Sequence, residues 1–247
     1  MRLALALVLL AACHHGPGAA SPQSVPDALA QLAKSRDALH SFTGESVMDY
    51  WIGDQRIKGQ VLVMGTVGSK VRMAALAPQG GVAVEMACDG DKFVYVDHQN
   101  NCAMQGPCTK QSIARFFHLE LTPDDFLHLA LGTPPVLDGA QGKAGAGGKI
   151  ELTAPGGTQS IAFDGSDVTA SEQHDAAGNL LWTVQNKDFV TVKDASGAAY
   201  RLPGKSQFKS SLEKSDLVVD WKDRQVNVDL APDKFVVPVP EGLPECH

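Results

Sequence analysis

Several things are missing from this 247-residue chain, and each absence removes a class of function. Beyond the first ten residues no apolar run approaches the roughly 20 residues that a membrane-crossing helix needs. Lys and Arg are scattered singly and the net charge is −7, which excludes the clustered cations that grip nucleic-acid phosphates. There is no Gly-x-Ser-x-Gly nucleophile elbow and no His-Glu-x-x-His zinc motif. No Cys-x2-Cys pair occurs, and the histidines at 14, 15, 40, 98, 118, 128, 174 and 247 lack ligand spacing, so no metal site and no cofactor are expected. The glycine-rich stretch 139–148 lacks the spacing and the strand–helix context of a phosphate loop and reads as a flexible connection. Asp124-Asp125 reads as a helix N-terminus rather than an acid pair, Asp97-His98 as a solvated strand end, and His118 and His128 as helical residues without a catalytic partner. A hydrolase assembled from distant residues is the least favoured reading.

What is present begins at the N-terminus. Arg2 precedes an apolar run from Leu3 to Leu10, and Leu10-Ala11-Ala12-Cys13 closes it. A positive start, a short apolar stretch and small residues describe a secretory signal peptide, expected over residues 1–12. The Leu-Ala-Ala-Cys ending resembles the lipobox of bacterial lipoproteins. That resemblance implies cleavage before Cys13, acylation of Cys13, and attachment to a membrane through several acyl chains, each buried CH₂ contributing about 0.8 kcal/mol. The alternative is an ordinary signal peptide and a free Cys13. His14 stands where an Asp would signal retention at the inner membrane, so the resemblance points to the periplasmic face of the outer membrane.

With Cys13 acylated, Cys88, Cys102, Cys108 and Cys246 remain. An even number in an exported chain reads as two disulfides with three possible pairings. The pairing expected is Cys102 with Cys108 and Cys88 with Cys246.

Residues 13–26 are rich in breakers and read as a lipidated tether spanning roughly 40 Å when extended. A single domain is expected over 27–247. The spacing predicts a helix from about Val25 to Leu39 with Ser24 as N-cap and Arg36 snorkelling from its apolar stripe. The period then drops to two through residues 42–96, the mark of an antiparallel meander with turns such as Asp89-Gly90-Asp91. Short helices are expected at 112–118 and from Thr122-Pro123, the latter stopped by Gly132. A second meander fills 149–239. The fold class is therefore mainly β, with about eleven antiparallel strands, an N-terminal helix and a central helical insert.

This order of elements resembles the lipoprotein carriers LolA and LolB. The resembling residues are Arg72-Met-Ala-Ala-Leu-Ala-Pro78-Gln-Gly-Gly, the Asp89-Gly90 turn, Leu121-Thr-Pro123-Asp-Asp-Phe126-Leu-His-Leu-Ala-Leu131-Gly132-Thr-Pro134, and the ending Phe235-x4-Pro240-x-Gly242. They span about residues 27–243, and the local wording is closer to LolB. The resemblance implies an open half-barrel whose apolar concavity, under a helical lid, takes acyl chains of lipoproteins or lipids, with a periplasmic carrier protein as a partner and no covalent chemistry. The cavity-lining residues expected are Phe42, Met48, Tyr50, Leu62, Met64, Val71, Met73, Val84, Met86, Phe126, Leu127, Leu131, Trp182 and Trp221, the methionines offering an adaptable surface. Ordinary core packing under the helices explains the same alternation. The hairpin at Pro78-Gln79-Gly80 departs from LolB, which carries an exposed apolar residue there, and the four cysteines depart from the family's pattern. Trp51-Ile52 at the first hairpin is expected to pack at a sheet edge. The second functional reading is a membrane-anchored interaction or sensing module with a filled core.

Overall fold

The computed structural model describes residues 20–52, 54–117, 121–211 and 215–246, so the signal sequence, Cys13, His14 and His118 lie outside the described residues. The chain opens with α1 (Val25–Ala38), whose N-cap Ser24 accepts from the Asp27 amide as expected. Six strands follow: β1 (Ser41–Ile52), β2 (Gln55–Thr66), β3 (Lys70–Leu76), β4 (Val82–Asp89), β5 (Lys92–Asp97) and β6 (Cys102–Pro107). Two short helices, α2 (Lys110–Phe117) and α3 (Pro123–Ala130), lead to β7 (Gln141–Ala144), β8 (Lys149–Ala154), β9 (Gly157–Asp164), β10 (Asp167–Asp175) and β11 (Leu180–Lys187). A separate hairpin of β12 (Val190–Lys193) and β13 (Ala199–Leu202) precedes β14 (Lys205–Ser210) and β15 (Ser215–Val226). No helix among the described residues is long and apolar enough to cross a membrane.

Thirteen strands form one antiparallel sheet in the order β6-β5-β4-β3-β2-β1-β15-β14-β11-β10-β9-β8-β7. Each half is a meander, and the first and last strands of the chain, β1 and β15, join the halves along a register from Phe42–Val226 to Ile52–Ser215. This seam makes the two strand runs one continuous sheet. It also places β6 and β7 at opposite edges, so the connection carrying α2 and α3 must cross the width of the sheet.

The strands differ from the sequence expectation in both directions, two being added and two lost. Residues 102–107 have little apolar alternation, yet β6 pairs with β5 because a disulfide and the C-terminal segment cover it. The glycine-rich connection contains β7, an exposed edge strand carried by its backbone bonds to β8. Conversely, two strands expected at 217–221 and 225–230 are the single β15. Its polar stretch Lys222–Arg224 stays extended because β1 pairs alongside it, with a register shift at Glu45/Ser46. The strand expected at 235–239 is a 3₁₀ turn (Pro232–Phe235) and a tail.

The disulfides differ from the expected pairing. Cys88 bonds Cys108 and Cys102 bonds Cys246. The 102–108 loop cannot close on itself because it is β6, an extended strand of some 20 Å, well beyond the 4.4–6.8 Å Cα separation a disulfide spans. The C-terminal tail instead runs to the start of β6. There the Ala103 amide donates to Pro244 O and the Cys246 amide donates to Ala103 O.

One face of the sheet carries all three helices. On it, register aligns Phe93, Cys88, Val71, Gly65, Phe42 and Val226 in one cross-strand row and Tyr95, Met86, Met73, Val63, Gly44 and Arg224 in the next. The apolar side of α1 packs further along, on Ile150, Leu152, Ile161 and Phe163. The opposite face of β4–β6 is apolar too, because Val237, Val239 and Leu243 of the tail pack on Ala87, Val94, Val96 and Ala103.

Candidate functional site

The helix-bearing face brings most of the expected lining residues together. Phe42, Met48, Val71, Met73, Met86, Phe126, Leu127 and Leu131 are buried in one cluster, with Tyr50 and Trp221 packed at its margin. Trp182 belongs to an adjoining cluster, stacked on Phe208 with ring centroids 6.0 Å apart. Val84 shares this face by register with Ala75 but lies outside the cluster. Leu62 and Met64 do not belong to it: they pair with Ala74 and Arg72 on the opposite face, and Leu62 is largely exposed. Their neighbours Val61 and Val63 point inward instead. Four consecutive apolar residues leave the parity of β2 open in the sequence.

The face is filled. Phe126, Leu129 and Ala130 of α3 close over Met48, Val63, Phe208 and Trp221, leaving a cavity of about 40 Å³. That holds a water or so, far below the roughly 300 Å³ of a small-ligand pocket. Gly65 makes the close fit possible, since a Cβ there would meet Leu127 Cδ1 at 3.1 Å and Phe42 Cε1 at 3.3 Å.

Polar bonds hold α3 at its ends. At the N-terminus Thr122 caps the helix, accepting from the Asp125 amide at 3.0 Å. Asp124 Oδ1 accepts from the Ser69 amide at 2.8 Å, and Asp125 pairs with Arg36 of α1 at 3.1 Å. Arg36 is thus a tie between helices rather than a free snorkel. At the C-terminus, Arg224 of β15 donates to Ala130 O at 3.2 Å and to Pro203 O. Gly132 ends the helix at φ +90°, where a Cβ would strike Pro203.

Arg224 is the functional candidate that sequence reading missed. It is only 6% exposed, none of its hydrogen-bond partners is a carboxylate, and its guanidinium lies 4.9 Å from the centroid of the Trp221 ring. Burial pulls its pKa down to about 10. The end of a helix dipole favours a cation there. Gly44 is its signal: a Cβ at Gly44 would lie 2.8 Å from Arg224 Cγ and 2.7 Å from Asp223 O. Three further polar atoms are buried without a hydrogen bond to a described residue, Trp221 Nε1, His128 Nδ1 and Ser215 Oγ. Burial, then the charge of Arg36, pushes the His128 pKa down to about 4 against the opposing pull of Asp124, Asp125 and Asp37, so this imidazole is neutral. No group of three or more His, Cys, Asp or Glu among the described residues could hold a metal ion.

Solved structures share the overall fold on which this face and its helix sit. A LolA superfamily protein from Nitrosomonas europaea matches with a TM-score of 0.53 at 12% identity, over 85% of this chain and 97% of that one. A DUF1329 family protein from Desulfovibrio piger gives 0.54 at 13%, over 86% and 97%. A domain from Vibrio parahaemolyticus assigned to outer-membrane lipoprotein sorting gives 0.50 at 9%, over 83% and 94%. The chain shares the fold of these LolA-like structures. No protein-family model and no curated protein matches its sequence.

Proposed function

We propose that this is an outer-membrane lipoprotein, anchored through acylated Cys13 at the periplasmic face, which binds acyl chains of lipoproteins or lipids on the helix-bearing face of its sheet. The observation that carries this reading is the manner in which the face is closed. An eight-residue helix is not stable by itself. Here α3 is an apolar plug held by a few polar contacts at its rim, over a trough of Met, Phe and Trp side chains. An acyl chain that displaced Phe126 and Leu129 would find apolar walls and the unpartnered Trp221 N–H. Handing the cargo over involves a periplasmic carrier protein. The polar, exposed hairpin tip at Gln79–Gly81 argues for holding cargo rather than inserting into a bilayer, so a specifically LolB-like delivery step is the weaker part of this reading.

The small cavity favours a second reading, an anchored interaction module with a permanently filled core. Such a module should expose a contiguous apolar patch. Trp51 and Ile57 are exposed but emerge on opposite faces of the β1–β2 hairpin, and Trp51, in the middle of the sheet rather than at an edge, lies under the Arg56 guanidinium.

Fluorescence quenching by brominated palmitate separates the two. Trp182 and Trp221 face the trough and Trp51 faces away. Saturable quenching that disappears in Trp182→Phe/Trp221→Phe supports acyl binding. Quenching that persists in that double variant, or none at all, removes it and leaves the interaction module.

A further inference from the structure

A second void lies outside the trough, between α1, the β9–β10 turn and the β12–β13 hairpin. It is a groove of about 480 Å³, within the size range of small-ligand sites. Its floor is apolar: Leu39 and Leu131 come from the main core and Leu32 from the cluster under α1, so the groove follows the seam between two separately packed cores. Its rim carries two cations, Lys34 and Arg201, and one carboxylate, Asp167. Lys34 makes no ion pair with a described residue. Arg201 uses Nε and Nη2 on Asp167, leaving Nη1 without a hydrogen bond to a described residue.

We infer that this groove binds a single-chain anionic amphiphile drawn from the bilayer, a long-chain fatty acid, with its carboxylate at Lys34 and Arg201 Nη1 and its chain on Leu39 and Leu131. The inference rests on the acyl-binding reading and adds a site to it. Three observations converge on this occupant. The groove is amphipathic along its depth, with charge at the mouth and leucine at the floor. The unpaired rim charge is positive in a chain of net charge −7. And the groove faces the place where the rest of the chain departs: Ser21 Oγ accepts from the Gly165 amide at 2.9 Å, and Gln31 donates to Ser166 O at 2.8 Å, beside the Ser166–Asp167 wall. Pinned at Ser21, the segment leading back to Cys13 reaches only about 25 Å at ~3.3 Å per residue, so an anchor at Cys13 holds this mouth near the bilayer surface. Arg224 is the partition between groove and trough, since it bonds Pro203 O, whose residue lines the groove, and Ala130 O, whose residue lines the inner cavity.

The test is photolabelling of the full chain in phosphatidylcholine nanodiscs with a diazirine-bearing palmitate, the labelled residues being mapped by mass spectrometry. The expected result is label on the side chains of Leu39 and Leu131 themselves. It should fall about five-fold in Lys34→Glu, the effect of an exposed ion pair near 1 kcal/mol, be retained in Lys34→Arg, and vanish in Ser35→Trp, which fills the groove. Circular dichroism of each variant reports whether it is folded; a variant that is not is replaced by competition with unlabelled palmitate, which must remove the same label. Label confined to the side chains of Met48, Phe126 and Trp221 and indifferent to these changes overturns the groove while leaving acyl binding intact. No label anywhere overturns both. Equal groove labelling by a cationic alkylamine probe overturns the carboxylate assignment.

Discussion

At the residue scale, the chemistry of this molecule concentrates in a few side chains whose surroundings are unusual for their type. A guanidinium buried against two carbonyls is a commitment of position: removing it strands Ala130 O and Pro203 O. Arg224→Met is therefore expected to destabilise the fold by on the order of 2 kcal/mol in urea denaturation, although it replaces a charge by an apolar group. Gly44→Ala should cost a similar amount, about 1–3 kcal/mol by overpacking, because its Cβ would meet Arg224 Cγ and a backbone carbonyl. His128 gives the residue scale a pH signature. Its folded pKa of about 4 lies below the ordinary value of 6.5, so between these values the unfolded chain binds the proton that the folded one refuses. Stability is full above pH 6.5 and declines as pH falls towards 4. Thermal melts across this window should show that decline, and His128→Phe should flatten it.

At the scale of elements, α3 is the part whose placement decides the site. Its caps, its Pro123 start and its Gly132 stop are all local chemistry and are readable from the chain. Its seat is not local: it depends on Gly65 opposite Leu127, on the Ser69 amide that donates to Asp124, and on Arg36 from α1. Gly65→Val is expected to unseat the helix while leaving the sheet paired. Near-ultraviolet circular dichroism should change and apolar dye binding should rise while far-ultraviolet strand signal persists. Unchanged dye binding would mean that the sheet, not α3, adjusts.

For the whole molecule, the two disulfides act on very different stretches. Cys102–Cys246 closes a separation of 144 residues and fastens the tail over the outer face, whereas Cys88–Cys108 closes 20. In the chain-entropy account the first contributes about 5 kcal/mol and the second about 3. Cys102→Ala/Cys246→Ala should accordingly lower the denaturation midpoint more than Cys88→Ala/Cys108→Ala. The tail also supplies a polar tie, Arg72 donating to Lys234 O while it pairs with Glu85 at 2.7 Å.

The sequence by itself determined whatever depends on neighbours in the chain: the helix starts at Ser24 and Thr122, the stop at Gly132, and the period of two in both meanders. Only tertiary structure decided matters that depend on distant partners. Which side of β2 faces inward was settled by the register that sets Val63 between Gly44 and Met73, because the four consecutive apolar residues Val61–Met64 carry no alternation of their own. Disulfide partners were settled by β6 being extended and by where the tail ends. That residues 222–224 continue a strand was settled by β1 lying alongside, and the importance of Arg224 followed from the same pairing. A polar residue in a polar stretch carries no local mark of burial. It acquires one only when a glycine 180 residues earlier in the chain leaves room for it beside the end of a helix.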